Sequence, residues 1–308
     1  MIEEALIFLD SRFLGNDMSS YFIAMAELIF IFIFGTIIGS FLNALIWRIH
    51  KSESVMRGRS KCVHCEHELS AGDLIPVFSF ALLKGKCRYC KKQISWQYPL
   101  VELAMGGLFV LSYTAVYAGI PGGIIESLFL GRHASADLLF ARLLVFLSIL
   151  IVLLVYDARW GLLPDSVTLP ALPLAFVLNL FVFTSPTICD GGAFVCFFSV
   201  PWVNMVGAAL IGGGFFAFQY IISKGAWIGG GDIRLGALMG VMLGFPEVLV
   251  ALFIAYIVGA SVAIILLALR KKGMKSEMPF GPFLCGATAV MLLYGEQIMN
   301  GVSRYFLF

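Results

Sequence analysis

Apolar residues run almost unbroken through most of the chain, and polar positions gather in a few places between the runs. Runs of at least about 18 apolar residues are long enough to cross a bilayer as helices. They occupy residues 22–46, 99–118, 138–156, 166–184, 202–222, 249–269 and 283–299, and a shorter run, Leu235 to Phe245, predicts an eighth helix. The pattern therefore predicts an all-α polytopic membrane protein with about eight transmembrane helices. Its main polar block becomes a small insert between helices one and two. The expected organisation is an extracytoplasmic segment 1–21, a first span 22–46, the insert 47–98 and a transmembrane region 99–308. No internal repeat or low-complexity tract stands out.

Composition agrees with this reading. Of 308 residues, 60% are hydrophobic and 13% charged, whereas soluble domains carry about 25% charged residues. The net charge of +2 says little, but the placement of the 21 Lys and Arg residues says more. Ten lie between Trp47 and Pro99, and Arg270, Lys271, Lys272 and Lys275 share the turn after Leu269. With Arg159, Lys224 and Arg234 they form one basic side, leaving Arg12, Arg132, Arg142 and Arg304 on the other. The positive-inside rule then puts both chain ends outside and the insert in the cytoplasm. The acidic start, with no small-residue cleavage site after the first run, argues against a removed signal peptide.

Paired cysteines supply the first candidate chemistry. "CVHC" at Cys62 to Cys65 and "CRYC" at Cys87 to Cys90 are two knuckles, each able to set two thiolates on one side of a turn. Together they offer the four sulfurs of a closed, structural zinc site. Such a metal would fold an insert too small to be stable on its own core. His64 and His67 are expected to be exposed, because four thiolates already close the shell. No aromatic pattern interleaves the basic residues, so nucleic acid is not an expected partner. Cys189 and Cys196 are either a disulfide or two unpaired thiols in an outer loop, and Cys285 is read as a small packing residue.

Ionisable groups at apolar spans are costly and point to function. Asp157 ends the third long run in "LLVYDARWGLLPDSVTLP", and Asp232 follows Gly229, Gly230 and Gly231 in "WIGGGDIRLGALMG". If those helix ends meet, two carboxylates share a proton, and one can activate water while the other polarises a carbonyl. That is aspartic-protease chemistry at a membrane surface. Glu27, Glu247 and Glu296 have plainer explanations near span ends or outer loops, Glu102 can face the insert, and Asp165 suits a helix N-cap. Gly35, Gly39 and Ser40 form a small-residue face for close helix packing.

The chain resembles the type IV prepilin peptidases, the leader peptidase and N-methyltransferase family of GxGD aspartyl proteases. The resemblance lies in "GSFLNALIWRIH", "RSKC", "CVHC", "IPVFSFALLKGKCRYC", "ISWQYPLVEL", "YDARWGLLPDSVTLP", "GGGDIRLGALMG" and "PFGPFL", which cover nearly the whole length in order. It departs from the family's usual residues at Val63, Leu74 and Arg234. The resemblance implies that Asp157 and Asp232 are the catalytic dyad. It implies removal of basic leaders from type IV prepilin or pseudopilin precursors, then methylation of the new amino terminus with S-adenosylmethionine. It also implies a multi-pass protein of the bacterial cytoplasmic membrane whose active site faces the cytoplasm. Glu102, where the insert rejoins the membrane, is a candidate for orienting the amine or the methyl donor. Two other function classes fit less well. A proton-coupled transporter would carry broken helices in an internal repeat, and an assembly factor docking through the insert leaves the aspartates without a role.

Overall fold

The computed structural model describes residues 18–55, 58–117, 134–182, 200–269 and 278–306. Its α-helices are α1 (Met18–Lys51), α2 (Phe78–Leu82), α3 (Gln97–Tyr117), α4 (Ala134–Trp160), α5 (Asp165–Val182), α6 (Pro201–Ser223), α7 (Gly230–Leu243), α8 (Glu247–Ala268) and α9 (Gly281–Phe306). Apart from the short α2, these correspond to the eight apolar runs, and the protein is an all-helical membrane protein. Among the described residues, five stretches are long and apolar enough alone to cross a bilayer: Phe22–Lys51, Gln97–Tyr117, Ser135–Trp160, Pro201–Ser223 and Glu247–Ala268.

Helix α7 departs from the expected boundary. It begins at Gly230, not Leu235, and Asp232 lies in its first turn. Hydropathy marks only the apolar part of a helix, whereas a helix start tolerates an acidic residue because unpaired N–H groups point outward there. Fourteen residues span only about 21 Å at 1.5 Å per residue, and Leu235, Gly236 and Leu238 to Leu243 are all buried. This helix is the centre of its unit, enclosed by protein on several sides.

Two compact units divide the chain, Met1–Ser148 and Ile149–Phe308. In the first, α1 packs on α3. A side chain at Gly35 would meet the Met105 carbonyl at 2.7 Å, and one at Gly39 the Glu102 Cα at 2.8 Å, so only glycine lets these backbones approach. Lipid offers no hydrophobic drive for helix association, and close packing of small residues takes its place. Glu27, expected at a span end, is 3% exposed and accepts a hydrogen bond from the Tyr113 hydroxyl.

The second unit uses the same device around α7, which packs on α5, α6 and α9. Side chains at Gly212, Gly236 or Gly240 would collide with backbone of the facing helix. Asn204 clamps the turn after α7, accepting from the Phe245 N–H at 2.6 Å and donating to its carbonyl at 2.9 Å. Asn179, buried on α5, donates to the Val241 carbonyl at 2.5 Å. These bonds satisfy backbone groups that lipid cannot.

Candidate active site and metal centre

Helix α4 stops just beyond Asp157. Gly161 adopts φ +64° and donates its N–H to the Asp157 carbonyl at 2.7 Å, a glycine stop that leaves the aspartate in the last turn. Asp157 is 6% exposed, and its Oδ2 is buried with no hydrogen-bond partner among the described residues. The Gly281 backbone N–H is directed at the carboxyl. A Cβ at Gly281 would stand 2.5 Å from that Oδ2, so the first residue of α9 must be glycine for the aspartate to fit.

Asp232 stands in the first turn of α7, half-buried, its own N–H donated to the Gly229 carbonyl at 3.1 Å. The two carboxylates interact electrostatically, and both also act on the buried Cys285. The three glycines before Asp232 have separate roles. Gly231 packs under Leu163, whose Cβ would lie 3.1 Å from an added side chain, whereas Gly230 faces open space. Arg234 turns away from Asp232 and pairs with Asp165. Asp165 is thus the first residue of α5 and an ion-pair partner, where the sequence suggested an N-cap.

The four cysteine sulfurs lie within 4.8 Å of one another, with Cys62 and Cys90 at 3.9 Å. Tetrahedral zinc with bonds of about 2.3 Å needs sulfurs about 3.8 Å apart, so this donor set suits such a metal. The knuckles repeat one pattern. Cys62 N–H donates to the His67 carbonyl at 3.0 Å and Glu66 N–H to the Cys62 carbonyl at 2.9 Å; Cys87 to Lys92 and Lys91 to Cys87 follow at 2.9 and 3.0 Å. Glu66 and Lys91 both have positive φ, and antiparallel bridges close both knuckles, Lys61 with Glu68 and Lys86 with Gln93. In the residue types this repeat, 25 residues apart, shows only as the paired Lys-Cys-x-x-Cys, and backbone hydrogen bonds carry the rest.

Burial tends to raise the Cys87 thiol, but N–H groups of Cys90 and Tyr89 outweigh it and bring the group to about 7. Cys62, where burial prevails, rises to about 11. His64 and His67 are exposed, and His67 stacks on Tyr89 with ring centroids 3.6 Å apart.

Asp73 was not marked by the sequence, yet it braces the second knuckle. It accepts from Arg88 at 2.6 Å, Tyr89 at 3.2 Å and the Ser70 hydroxyl at 2.8 Å. Desolvation alone would raise its carboxyl, but the Arg88 and Ser70 bonds prevail and hold it at about 2. Glu102 is also buried, and its Oε2 accepts the Val77 N–H at 2.7 Å, with the Ser40 hydroxyl also bonded to the carboxyl. Cys285 is buried as expected, while Cys189 and Cys196 lie outside the described residues.

Residues 33–116 match the Bacterial Peptidase A24 N-terminal domain, and residues 144–264 match the Type IV leader peptidase family. The first match contains the four cysteines and the second contains Asp157 and Asp232. The chain is 30% identical to a prepilin leader peptidase/N-methyltransferase of Stutzerimonas stutzeri over 296 residues, covering 89% of this chain and 92% of the relative. A protein of the same name from Bacillus subtilis is 31% identical over 270 residues, 88% of this chain and 95% of the relative. One from Aeromonas hydrophila is 30% identical over 301 residues, covering 90% and 94%. No solved structure matches the chain. With eight helical runs, a four-cysteine insert and near full-length similarity to these enzymes, the chain belongs to the type IV leader peptidase family.

Proposed function

We propose that Asp157 and Asp232 are the catalytic dyad of an aspartyl endopeptidase that cuts the basic leader from type IV prepilin or pseudopilin precursors. The active site faces the cytoplasm from the bacterial cytoplasmic membrane, in a transmembrane region 99–308 that follows the insert 47–98. One observation carries the reading: two carboxylates from separate helix ends interact beside Gly229, Gly230 and Gly281, and the buried Oδ2 of one has no hydrogen-bond partner among the described residues. A buried acceptor left unpaired costs about 1–3 kcal/mol, a cost that is offset when the oxygen receives the proton the reaction moves.

One carboxylate takes a proton from water as the water oxygen bonds to the scissile carbonyl carbon. The other donates its proton to the carbonyl oxygen. Collapse of the tetrahedral species breaks the C–N bond: the leaving nitrogen takes up the proton held by the first carboxylate, and one hydroxyl of the new carboxyl group returns its proton to the second. Open space at Gly230 supports passage of an extended substrate backbone beside Asp232. Lipid surrounds the spans and holds the substrate's apolar helix in register with the site.

The relatives' names pair this cleavage with N-methylation, and the same pair of activities is proposed here. Zinc on Cys62, Cys65, Cys87 and Cys90 supplies a structural cross-link between the knuckles. S-adenosylmethionine supplies the methyl group, and Glu102 is the proposed orienting residue.

The test is mass analysis of a prepilin incubated with S-adenosylmethionine and wild type, Asp157→Asn or Asp232→Asn. Wild type should remove the leader and add a methyl group. Each variant should cleave about 10² to 10⁴ times more slowly with its helical content intact. Cleavage at the wild-type rate by either variant sinks the dyad.

A further inference from the structure

Helices α6 and α8 are mainly apolar, yet two polar side chains meet between them. The Gln219 amide of α6 donates to the Tyr256 hydroxyl of α8 at 3.0 Å, and that hydroxyl donates to Gln219 Oε1 at 3.1 Å. Tyr256 is exposed and Gln219 half-buried, on spans whose nearby Phe218, Phe253 and Ile257 are exposed apolar side chains suited to lipid. The pairing uses only part of what these groups offer. A primary amide has two N–H donors and two acceptor lone pairs. The second N–H reaches the Phe215 carbonyl only at 3.5 Å, and among the described residues Oε1 accepts only from Tyr256. Hydrocarbon tails cannot supply the missing bonds, so the capacity is costly where it stands.

The pair also stands close to the two aspartates. Phe280 packs on Tyr256 with ring centroids 4.9 Å apart, and the next residue, Gly281, abuts the Asp157 carboxyl. Asp232 acts electrostatically on the Tyr256 hydroxyl. Phe215 meets the Tyr256 ring edge-on at 5.7 Å, and Phe216 meets Phe280 at 6.3 Å. An aromatic wall thus leads from Gly281 toward the lipid-facing surface, with one polar pair set into it.

We propose that Gln219 and Tyr256 form a substrate subsite, hydrogen-bonding the precursor's backbone where its extended segment passes into its apolar helix. The proposal rests on the reading that Asp157 and Asp232 cut such a precursor, and it adds residues that hold the substrate on the lipid side of the cut. An extended strand must satisfy its N–H and C=O groups away from water. The first turn of a helix has the same need, because its leading N–H groups lack intrahelical partners. The amide and the phenol together supply donors and acceptors for both, once they release each other. Phe215 and Phe280 offer an apolar surface to the side chains beside that backbone. A lipid chain would fit the rings, but it has nothing for the amide to bond.

Steady-state cleavage of a prepilin by the full-length protein in detergent tests the subsite, comparing wild type with Gln219→Leu and Tyr256→Phe. Each substitution should raise KM about three- to tenfold, as loss of a hydrogen bond does, while kcat stays within about twofold and melting temperature is retained. A bond that merely ties α6 to α8 would give the reverse, a lower melting temperature with KM unchanged, and that result overturns the subsite. Cross-linking provides a second measurement that keeps both residues native. Photoreactive p-benzoylphenylalanine replaces the exposed Phe253, three residues from Tyr256 on the same face of α8. The Asp157→Asn protein carrying it, in vesicles of phosphatidylethanolamine and phosphatidylglycerol, should cross-link to the first turns of the precursor's apolar helix. Cross-links only to lipid, or only to the leader, overturn the subsite even if Gln219→Leu misfolds. If wild type cuts no precursor, or the aspartate variants cut at the wild-type rate, the protease reading falls and the subsite with it. Cleavage that needs both aspartates but keeps wild-type KM in folded Gln219→Leu and Tyr256→Phe defeats the subsite alone.

Discussion

The four-cysteine insert and the aspartate region each assemble matched side chains, but over different distances along the chain. Cys62 and Cys65 are three residues apart, as are Cys87 and Cys90, and each pair is shaped by hydrogen bonds within its own knuckle. Asp157 and Asp232 are 75 residues apart on different helices (232 − 157), brought into electrostatic reach by helix packing. Backbone turns suffice to present a pair of metal ligands. The proposed catalytic pair depends instead on helix packing whose close approach is set by Gly212, Gly236, Gly240 and Gly281.

Removing the metal should break this comparison most strongly on the insert side. Structural zinc contributes about 10–16 kcal/mol of binding that is also folding free energy. Chelation or Cys62→Ser should therefore unfold the insert, read by protease sensitivity between residues 58 and 95, while helical content of residues 149–308 persists. Zinc absent from wild type by metal analysis would remove the basis of this expectation.

On the aspartate side, Gly281→Ala probes packing while leaving both carboxylate residues in the sequence. Its Cβ would press on Asp157 Oδ2, and displacement of about 1 Å in a catalytic group costs about 10²-fold. Cleavage should fall by about that factor with bound zinc unchanged. Unaltered kcat would mean that α9 does not set the position of Asp157.

The smallest effect belongs to Asp73. Its Asn variant should destabilise the insert by about 0.2–1 kcal/mol, the range for an ion pair with a solvent-exposed partner such as Arg88. Asp73 is held at about 2 against an ordinary 3.8, so ionisation favours the folded insert. That contribution is complete above about pH 4 and fades as pH falls toward 2. The thermal difference between wild type and Asp73→Asn should narrow over the same interval; a constant difference would assign Asp73 a role independent of its charge.

Much of this was readable in advance, for reasons that differ by region. The runs were legible because spanning a bilayer demands length and apolarity together. The cysteine pairs were legible because metal ligation restricts both residue type and spacing. The start of α7 was misplaced by five residues because hydropathy does not register Gly230, Gly231 and Asp232 as helix. Arg234 stands two residues beyond Asp232, off its helical face, and nothing local names its partner Asp165, 69 residues earlier (234 − 165).

Glu102 and Asp73 show the limit most clearly. Asp73 reads as an ordinary surface carboxylate and Glu102 as a candidate at the insert junction, and only the folded insert reveals that Arg88 and Val77 are aimed at them. By itself, then, the sequence determined the membrane class, the helical runs, the four thiols and two aspartates in unusual settings, since each is dictated by local composition or short spacing. Beyond Gly35 and Gly39, which the sequence marked as a packing face, tertiary structure decided which glycines bring helices together, which carboxylates are buried and what each one faces. Those outcomes depend on contacts between residues far apart in the chain, and no local pattern encodes them.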